Sequence, residues 1–204
     1  TSIAEQLAQD DLLEVLTGYL SRMTNVIELN RGVVSEVHGD GILAYWNTPD
    51  RLEDHADWAC RAALNMHAEL GPMNERLREE GKPELHIRVG IHSGEVLTGN
   101  LGSERKMKFG CMGDNVNMAG RLEELCKFYS VTTLCSGDTC ELLSRDFQLR
   151  KLDRIRVKGS SPMLEVCELM GSTKHAPPLA SERLRHAEVY ERALQAYREA
   201  RFPE

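Results

Sequence analysis

The stretch GVVSEVHGDGILAYWN, from Gly32 to Asn47, predicts a β-hairpin. Two apolar runs flank a Gly-Asp-Gly tripeptide, and an Asp-Gly pair between such runs is the strongest short-range hairpin pattern that a sequence offers. Two features exceed what a turn requires. Asp40 places a carboxylate at the tip of the hairpin, and strand alternation puts Glu36 and His38 on the same face as Val34. The hairpin is therefore a candidate site as well as an element of the fold.

An amphipathic helix is predicted on each side of the hairpin. Apolar residues before it recur at steps of three and four, which predicts a helix of about 25 residues that ends near Gly32. These apolar residues are Leu13, Leu16, Leu20, Met23 and Ile27. After the hairpin, residues 50–80 repeat the pattern until Gly81-Lys82-Pro83 ends it.

Beyond residue 84 the sequence predicts short strands and helices in alternation. The complete order is helix, two strands, helix, two strands, helix, strand, helix and two strands. This order predicts an α+β sandwich, in which helices cover one face of a mostly antiparallel sheet. Residues 171–180 predict a polar, proline-containing linker, and residues 181–204 predict a final helix whose apolar face needs a partner.

The bulk composition limits the classes of partner. The chain has 204 residues and a net charge of −7, which argues against a nucleic-acid binder or a membrane-surface protein. This average is still compatible with a local basic patch for a polyphosphate. No apolar run approaches the roughly 20 residues of a membrane-spanning helix, and no signal peptide opens the chain. The six cysteines form no Cys-x-x-Cys pair, which predicts reduced thiols in a cytoplasmic protein.

Two of the candidate features suit a metal ion and a phosphoryl group. Asp40, held between two short strands, suits a hard divalent cation, although the same residue also makes a simple turn. Asn117 and Arg121 are four residues apart at a helix start and therefore share one face. An amide and a guanidinium there suit phosphoryl oxygens. The alternative is a solvated helix start that Asp114 caps.

Arg88 and Lys158 are the basic candidates. Arg88 is flanked by Ile87 and Val89, and alternation places it on the polar face of a strand. Lys158 precedes a Gly-Ser turn at the end of a basic strand, where it suits a phosphate. Both also have a plain structural interpretation as solvated residues, since lysine is common on edge strands.

Four motifs in a fixed order carry a family resemblance. GDGILAYW (39–46), IRVGIHSGEVLTGNLGS (87–103), GDNVNMAGRLE (113–123) and RVKG (156–159) resemble the catalytic domain of class III nucleotidyl cyclases over about residues 1–170. The resemblance implies a ferredoxin-like sandwich of a mostly antiparallel sheet covered by helices. It also implies a head-to-tail homodimer that uses two divalent cations, Mg²⁺ or Mn²⁺, per active site. Such enzymes convert a nucleoside triphosphate into a 3′,5′-cyclic monophosphate and pyrophosphate.

The resemblance implies a role for each candidate residue. Asp40 resembles the second metal-binding aspartate, and the first is expected upstream of the residues in this sequence. Asn117 resembles the residue that orients the ribose, and Arg121 the residue that stabilises charge at the α-phosphate. Lys158 and Arg88 resemble the clamp on the distal phosphates. Asp40 and Arg88 would come from one subunit, and the other three from its partner.

Glu36 is the residue on which the predicted base preference rests. At this position, four residues before the metal aspartate, adenylate-forming members of the family usually carry Lys and guanylate-forming members carry Glu. A carboxylate accepts from the adjacent N1–H and N2–H₂ donors of guanine, whereas it is repelled by the N1 acceptor of adenine. The sequence therefore predicts GTP as the substrate.

Gly110 occupies the second base-reading position, where adenylate-forming members have Asp or Thr and animal guanylate-forming members have Cys. Gly110 offers no side-chain acceptor to adenine and no side-chain donor to guanine O6, so a backbone N–H or a water would serve O6. Two alternatives stay open: an adenylate cyclase that uses ATP, and a catalytically silent module that dimerises and regulates. Regulatory domains are expected outside this chain, which would then be the cytosolic part of a larger protein.

Overall fold

The computed structural model describes residues 6–103, 106–156, 163–174 and 181–199. In chain order its elements are α1 (Gln9–Leu29), β1 (Val33–His38), β2 (Gly41–Tyr45), α2 (His55–Glu79), β3 (Val89–Ile91), β4 (Leu97–Ser103), β5 (Lys106–Met112), α3 (Asp114–Tyr129), β6 (Thr133–Ser136), α4 (Gly137–Leu142), β7 (Phe147–Arg156), β8 (Met163–Ser172) and α5 (Ser181–Arg198). They divide into two compact units.

The first unit comprises Thr1–Ile87 and Val96–Met112 and is built around a helical core. α1 and α2 pack together because each directs an apolar face inwards. The buried residues of this core are Val15, Met23, Val26, Ile27, Met66, Leu70, Met73, Leu77 and Leu85. Val34, Ile42 and Ala44 of the β1–β2 hairpin pack against it, so the core supports the strands that carry the turn.

The predicted hairpin forms as β1 and β2, but a β-bulge changes which residues share a face. Val34 lies opposite Ala44. Glu36 lies opposite Leu43, so one residue of β1 between them has no partner. The extra residue shifts the alternation by one, and Glu36 and His38 therefore face away from Val34. The expectation that all three share a face is wrong, because alternation holds only in a regular ladder.

The second unit comprises Arg88–Glu95 and Gly113–Glu204 and is built on a four-stranded sheet. The strand order is β3-β6-β8-β7, with β3 and β6 parallel and the other neighbours antiparallel. α3 packs against β3 and β6. The buried residues at the contact between α3 and the sheet are Leu122, Cys126, Leu134, Leu152 and Val166. The sheet thus forms the support for α3.

The final helix, α5, packs against β7, an edge strand of this sheet. The Tyr190 hydroxyl donates to the Leu152 carbonyl oxygen at 3.1 Å, and the Glu191 carboxylate accepts from the backbone N–H of Lys151 at 2.8 Å. The Arg150 guanidinium lies over the Tyr190 ring, 5.1 Å from its centroid. β7 of the same chain thus contacts part of this helix, while Val189 and Tyr197 of α5 stay exposed.

The α+β prediction is confirmed, with two differences in the sheet. The described strands form one four-stranded sheet and two two-stranded ribbons, β1–β2 and β4–β5. Three strands, β3, β4 and β5, follow α2, where the predicted order has two. β3 pairs with β6 in the four-stranded sheet, whereas β4 pairs with β5. None of the helices in the described ranges has the length and apolar character to cross a bilayer. Lys158 and residues 175–180 of the predicted linker lie outside the described residues.

Candidate active site

Asp40 lies in the turn between β1 and β2, where the sequence predicted it. Gly39 adopts φ +63°, a left-handed conformation that glycine tolerates, and the turn leaves Asp40 exposed. An exposed carboxylate on a firm turn is a ligand type that Mg²⁺ and Mn²⁺ accept. The part of the chain that the structure describes gathers no three His, Cys, Asp or Glu side chains that could hold a metal. Asp40 therefore fits one ligand position, and a complete site needs a further carboxylate.

Glu36 is held by two basic side chains. Its carboxylate forms an ion pair with the Lys108 ammonium of β5 and a hydrogen bond with the His38 imidazole. The Lys108 contact, followed by the His38 contact, holds the pKa of Glu36 below its usual range, so the side chain stays ionised at neutral pH. Each carboxylate oxygen has two lone pairs and uses one of them here. Both oxygens thus keep the capacity to accept from a ligand.

Gly110 is buried in β5, and strand alternation puts it on the same face as Lys108. A Cβ built on Gly110 would lie 3.4 Å from Leu101 Cδ1 and 3.4 Å from Ser35 Oγ. The predicted base-reading positions, 36 and 110, therefore lie on two strands that contact each other. Lys108 was not among the predicted site residues, because no local pattern links β5 to β1. The sequence feature that indicates it is its position two residues before Gly110, which places both on one face of a strand.

Asn117 and Arg121 lie on α3, one turn apart, as predicted. Gly113 is the N-cap residue with φ 142°, which favours glycine, and no side chain caps this helix end. The interpretation of Asp114 as the cap is therefore wrong; it is the first helical residue. Asn117 is exposed and Arg121 is partly buried. Both side chains belong to the same face of α3 and suit an anionic ligand together.

Arg88 is exposed, as predicted, and its guanidinium binds α3. Its Nε donates to Glu123 Oε1 at 2.7 Å, with the two side chains 49% and 37% exposed. Glu123 lies two residues after Arg121 on the same helix. This contact uses Nε, which leaves the terminal nitrogens of the Arg88 guanidinium able to donate to a phosphate. Lys158, the other predicted clamp residue, lies outside the described residues.

The candidate residues divide between the two units. The metal and base candidates Asp40, Glu36 and Gly110 belong to the first unit, and Arg88 belongs to the second together with the α3 pair. A further side chain of the second unit, His92, lies within the motif at residues 87–103, and the sequence predicted no role for it. It bridges β6 and the start of α3 through hydrogen bonds.

A family model agrees with these features. The model described as "Adenylate and Guanylate cyclase catalytic domain" matches residues 1–169. Among curated relatives, adenylate cyclase 1 of Rhizobium meliloti (strain 1021) is 33% identical over 171 residues, which is 84% of this chain and 26% of that protein. The adenylate cyclase of Anabaena cylindrica is 30% identical over 176 residues, or 83% of this chain and 34% of that protein. The chain thus spans about a third or less of these relatives.

Solved structures with the same fold include cyclases of both base preferences. The guanylyl cyclase Cya2 superposes with a TM-score of 0.77 at 28% identity, covering 86% of this chain and 88% of that chain. The adenylyl cyclase CyaB from P. aeruginosa gives a TM-score of 0.77 at 23% identity, covering 85% of this chain and 89% of that chain. The second match concerns the fold alone.

Proposed function

The chain belongs to the adenylate and guanylate cyclase catalytic domain family, the class III nucleotidyl cyclases, and on this premise we propose that it converts GTP into 3′,5′-cyclic GMP and pyrophosphate. The observation that carries the choice of base is the ionised Glu36 carboxylate beside Lys108. The free lone pairs of Glu36 suit guanine N1–H and N2–H₂, and the Lys108 ammonium suits O6. Lys108 thereby supplies the donor that Gly110 lacks.

An adenylate cyclase is the second candidate, and two observations favour it. The R. meliloti and A. cylindrica relatives are named adenylate cyclases. The Lys108 ammonium also suits adenine N1, while Glu36 would accept from the N6 amino group. Glu36 and Lys108 would then bind two positions of adenine, N1 and the N6 amino group, but three positions of guanine, N1–H, N2–H₂ and O6. One additional hydrogen bond to a charged group contributes about 1.5–3 kcal/mol, which favours GTP by roughly tenfold or more.

The proposed reaction is an intramolecular phosphoryl transfer. The ribose 3′-oxygen attacks the α-phosphorus, the bond from that phosphorus to the bridging oxygen breaks, and pyrophosphate leaves with the electron pair. Asn117 orients the ribose for in-line attack. Arg121 donates to the α-phosphate oxygens, where negative charge develops. Arg88 binds the distal phosphates through its terminal nitrogens together with Lys158, and the hydroxyl proton passes to water.

Asp40 is the residue of this chain that would hold a metal. We propose that it shares two divalent cations, Mg²⁺ or Mn²⁺, with an aspartate from a segment that precedes Thr1. When bound, such cations lower the pKa of the 3′-hydroxyl and neutralise charge on the triphosphate. An exposed, firmly mounted carboxylate is the property of Asp40 that supports this role.

A head-to-tail homodimer is proposed as the working form. The β4–β5 ribbon exposes four large apolar side chains, Leu97, Met107, Phe109 and Met112. A second copy that covers this ribbon would remove apolar surface from water. In the proposed dimer Asp40 and Arg88 come from one subunit, and Asn117, Arg121 and Lys158 come from the other.

The cellular setting is also a proposal. We place the chain in the cytoplasm as one part of a larger regulated protein. None of the six cysteines forms a disulfide, which supports a reducing compartment. The curated relatives are several times longer than the matched region, which supports additional domains.

The base assignment is tested by comparing GTP with ATP. Protein with its complete N-terminus and Mn²⁺ is expected to form cyclic GMP with a kcat/KM at least roughly tenfold above that for cyclic AMP. Glu36→Lys is expected to lower kcat/KM for GTP by about 10²-fold, because an ammonium would then face the guanine donors. Chromatography of both products from each nucleotide measures the effect.

Glu53→Lys makes the same charge change at an exposed position and serves as the matched control. Cyclic AMP from ATP as the only product would show that the base assignment is wrong. Formation of neither product by the protein with its complete N-terminus would favour the silent module.

Mixing two inactive variants tests the shared site. Asp40→Ala and Arg121→Ala are each expected to be inactive as purified homodimers. After subunit exchange the mixture should recover about a quarter of wild-type activity, because half of random dimers are mixed and each has one intact site of two. Two affinity tags establish that mixed dimers have formed. Mixed dimers without recovered activity would rule out a site shared between subunits.

A further inference from the structure

His92 lies almost completely buried between the end of β3, β6 and the start of α3. Its side chain is 6% exposed. Its Nδ1 lies 2.8 Å from Ser136 Oγ, and its Nε2 lies 3.0 Å from Asn115 Oδ1. The imidazole therefore uses both ring nitrogens to connect the sheet with the second residue of α3.

The directions of these hydrogen bonds follow from one carbonyl group. Asn115 Nδ2 donates to the Glu95 carbonyl oxygen at 2.8 Å, and a carbonyl oxygen only accepts. Asn115 Oδ1 must then face His92, so Nε2 carries the proton and donates. In the neutral ring Nδ1 accepts, and the Ser136 hydroxyl donates to it. Exchange of the amide oxygen and nitrogen would leave two acceptors at Glu95 facing each other.

The loop after β3 closes tightly on Asn115. A Cβ built on Gly94 would lie 2.5 Å from Asn115 Nδ2, closer than real Cβ contacts. Asn115 is thus confined by Gly94, by the Glu95 carbonyl and by the His92 ring. No side chain caps the start of α3, and these contacts help to hold its first turn.

We propose that His92 is a positioning residue for the cyclase reaction, acting through Asn115 on the helix that carries Asn117 and Arg121. The inference rests on the proposed roles of those two residues. Asn117 lies two residues and Arg121 six residues after Asn115 on the same rigid helix. A displacement of about 1 Å of a catalytic group can cost about 10²-fold in rate. The expected signature is therefore a loss in kcat with little change in KM.

Two amide substitutions, each of which matches one ring nitrogen, separate the two sides of the ring. His92→Gln places an amide nitrogen near the position of Nε2 and keeps a donor for Asn115. His92→Asn places its amide near the position of Nδ1 and keeps only the contact with Ser136. Both leave one buried partner unsatisfied, so similar losses in melting temperature are expected. We expect His92→Gln to retain most of the kcat for GTP and His92→Asn to lose about tenfold or more, at nearly equal KM.

Asn115→Ala removes the same contact from the helix side together with the hydrogen bond to Glu95, and it is expected to lower kcat at least as much as His92→Asn. The double variant should be no slower than Asn115→Ala alone, because both changes break one linkage. Equal kcat values for His92→Gln and His92→Asn would overturn the inference. A fully active Asn115→Ala protein would also overturn the inference. This test can still be made if both His92 variants fail to fold.

Arg121→Ala distinguishes this inference from the proposed function. If Arg121→Ala retains wild-type kcat, the catalytic role of Arg121 is wrong and this inference loses its premise, whereas a wild-type protein that forms no cyclic nucleotide would show that the proposed function is wrong. If Arg121→Ala is inactive but the two His92 variants behave alike, only the positioning role of His92 is wrong.

Discussion

Replacement of Asp40 by asparagine is expected to lower the kcat of cyclic GMP formation by about 10³-fold while the melting temperature stays nearly unchanged. A metal ligand contributes several kcal/mol to transition-state stabilisation, which corresponds to a loss of this size. The central residues of the turn are Gly39 and Asp40, and the positive φ is at Gly39, so Asp40→Asn keeps the turn and removes the charge. Steady-state rates over a series of Mn²⁺ concentrations, with a thermal scan, measure both quantities.

Asp50→Asn is the matched control, because Asp50 is an exposed aspartate of the same unit just beyond β2. It is expected to change neither the rate nor the Mn²⁺ dependence. Wild-type turnover by Asp40→Asn would show that Asp40 is a turn residue and not a metal ligand. A large fall in melting temperature together with the rate would indicate a structural role.

Replacement of Gly90 by alanine is expected to lower the free energy of unfolding by about 3 kcal/mol and to reduce kcat by about 10²-fold. A Cβ built on Gly90 would lie 2.2 Å from the Ala119 carbonyl oxygen and 2.4 Å from the Glu123 backbone nitrogen. These are backbone atoms of α3, so no rotamer change relieves the overlap. α3 must move away from β3 and take Asn117 and Arg121 with it. Urea denaturation and steady-state kinetics check the two losses.

Gly120→Ala makes the same chemical change on α3 itself and is the control. A Cβ on Gly120 would meet nothing within 4 Å. Because alanine is the better helix former, this variant is expected to raise the free energy of unfolding by about 0.5–1 kcal/mol. A Gly90→Ala protein as stable as Gly120→Ala would show that β3 and α3 are not in close contact in solution.

Local patterns predicted most elements of the fold. The Asp-Gly pair predicted the β1–β2 turn, and the three-four spacing predicted α1 and α2, because each depends on residues near one another in the chain. The pattern failed at the β-bulge between Val34 and Glu36. A bulge depends on how two strands pair, and the sequence of one strand does not specify its pairing with the other.

The candidate site was predictable in its residue types and less so in their contacts. Alternation correctly placed Arg88 on an exposed face, and helical spacing correctly placed Asn117 and Arg121 one turn apart. The same patterns could not identify Glu123 as the partner of Arg88. A periodic pattern tells which face a side chain occupies, whereas the partner comes from another element packed there.

The sequence by itself determined the order of motifs, the family they resemble and the exposed carboxylate of Asp40, since these depend on residue type and short-range spacing. Only the tertiary structure decided that Glu36 is paired with Lys108 and that His92 holds the start of α3. Both contacts join elements far apart in the chain. They exist because β1 packs against β5 and β3 against α3, and that packing is fixed by the burial of apolar faces over the whole of each unit rather than by any local pattern.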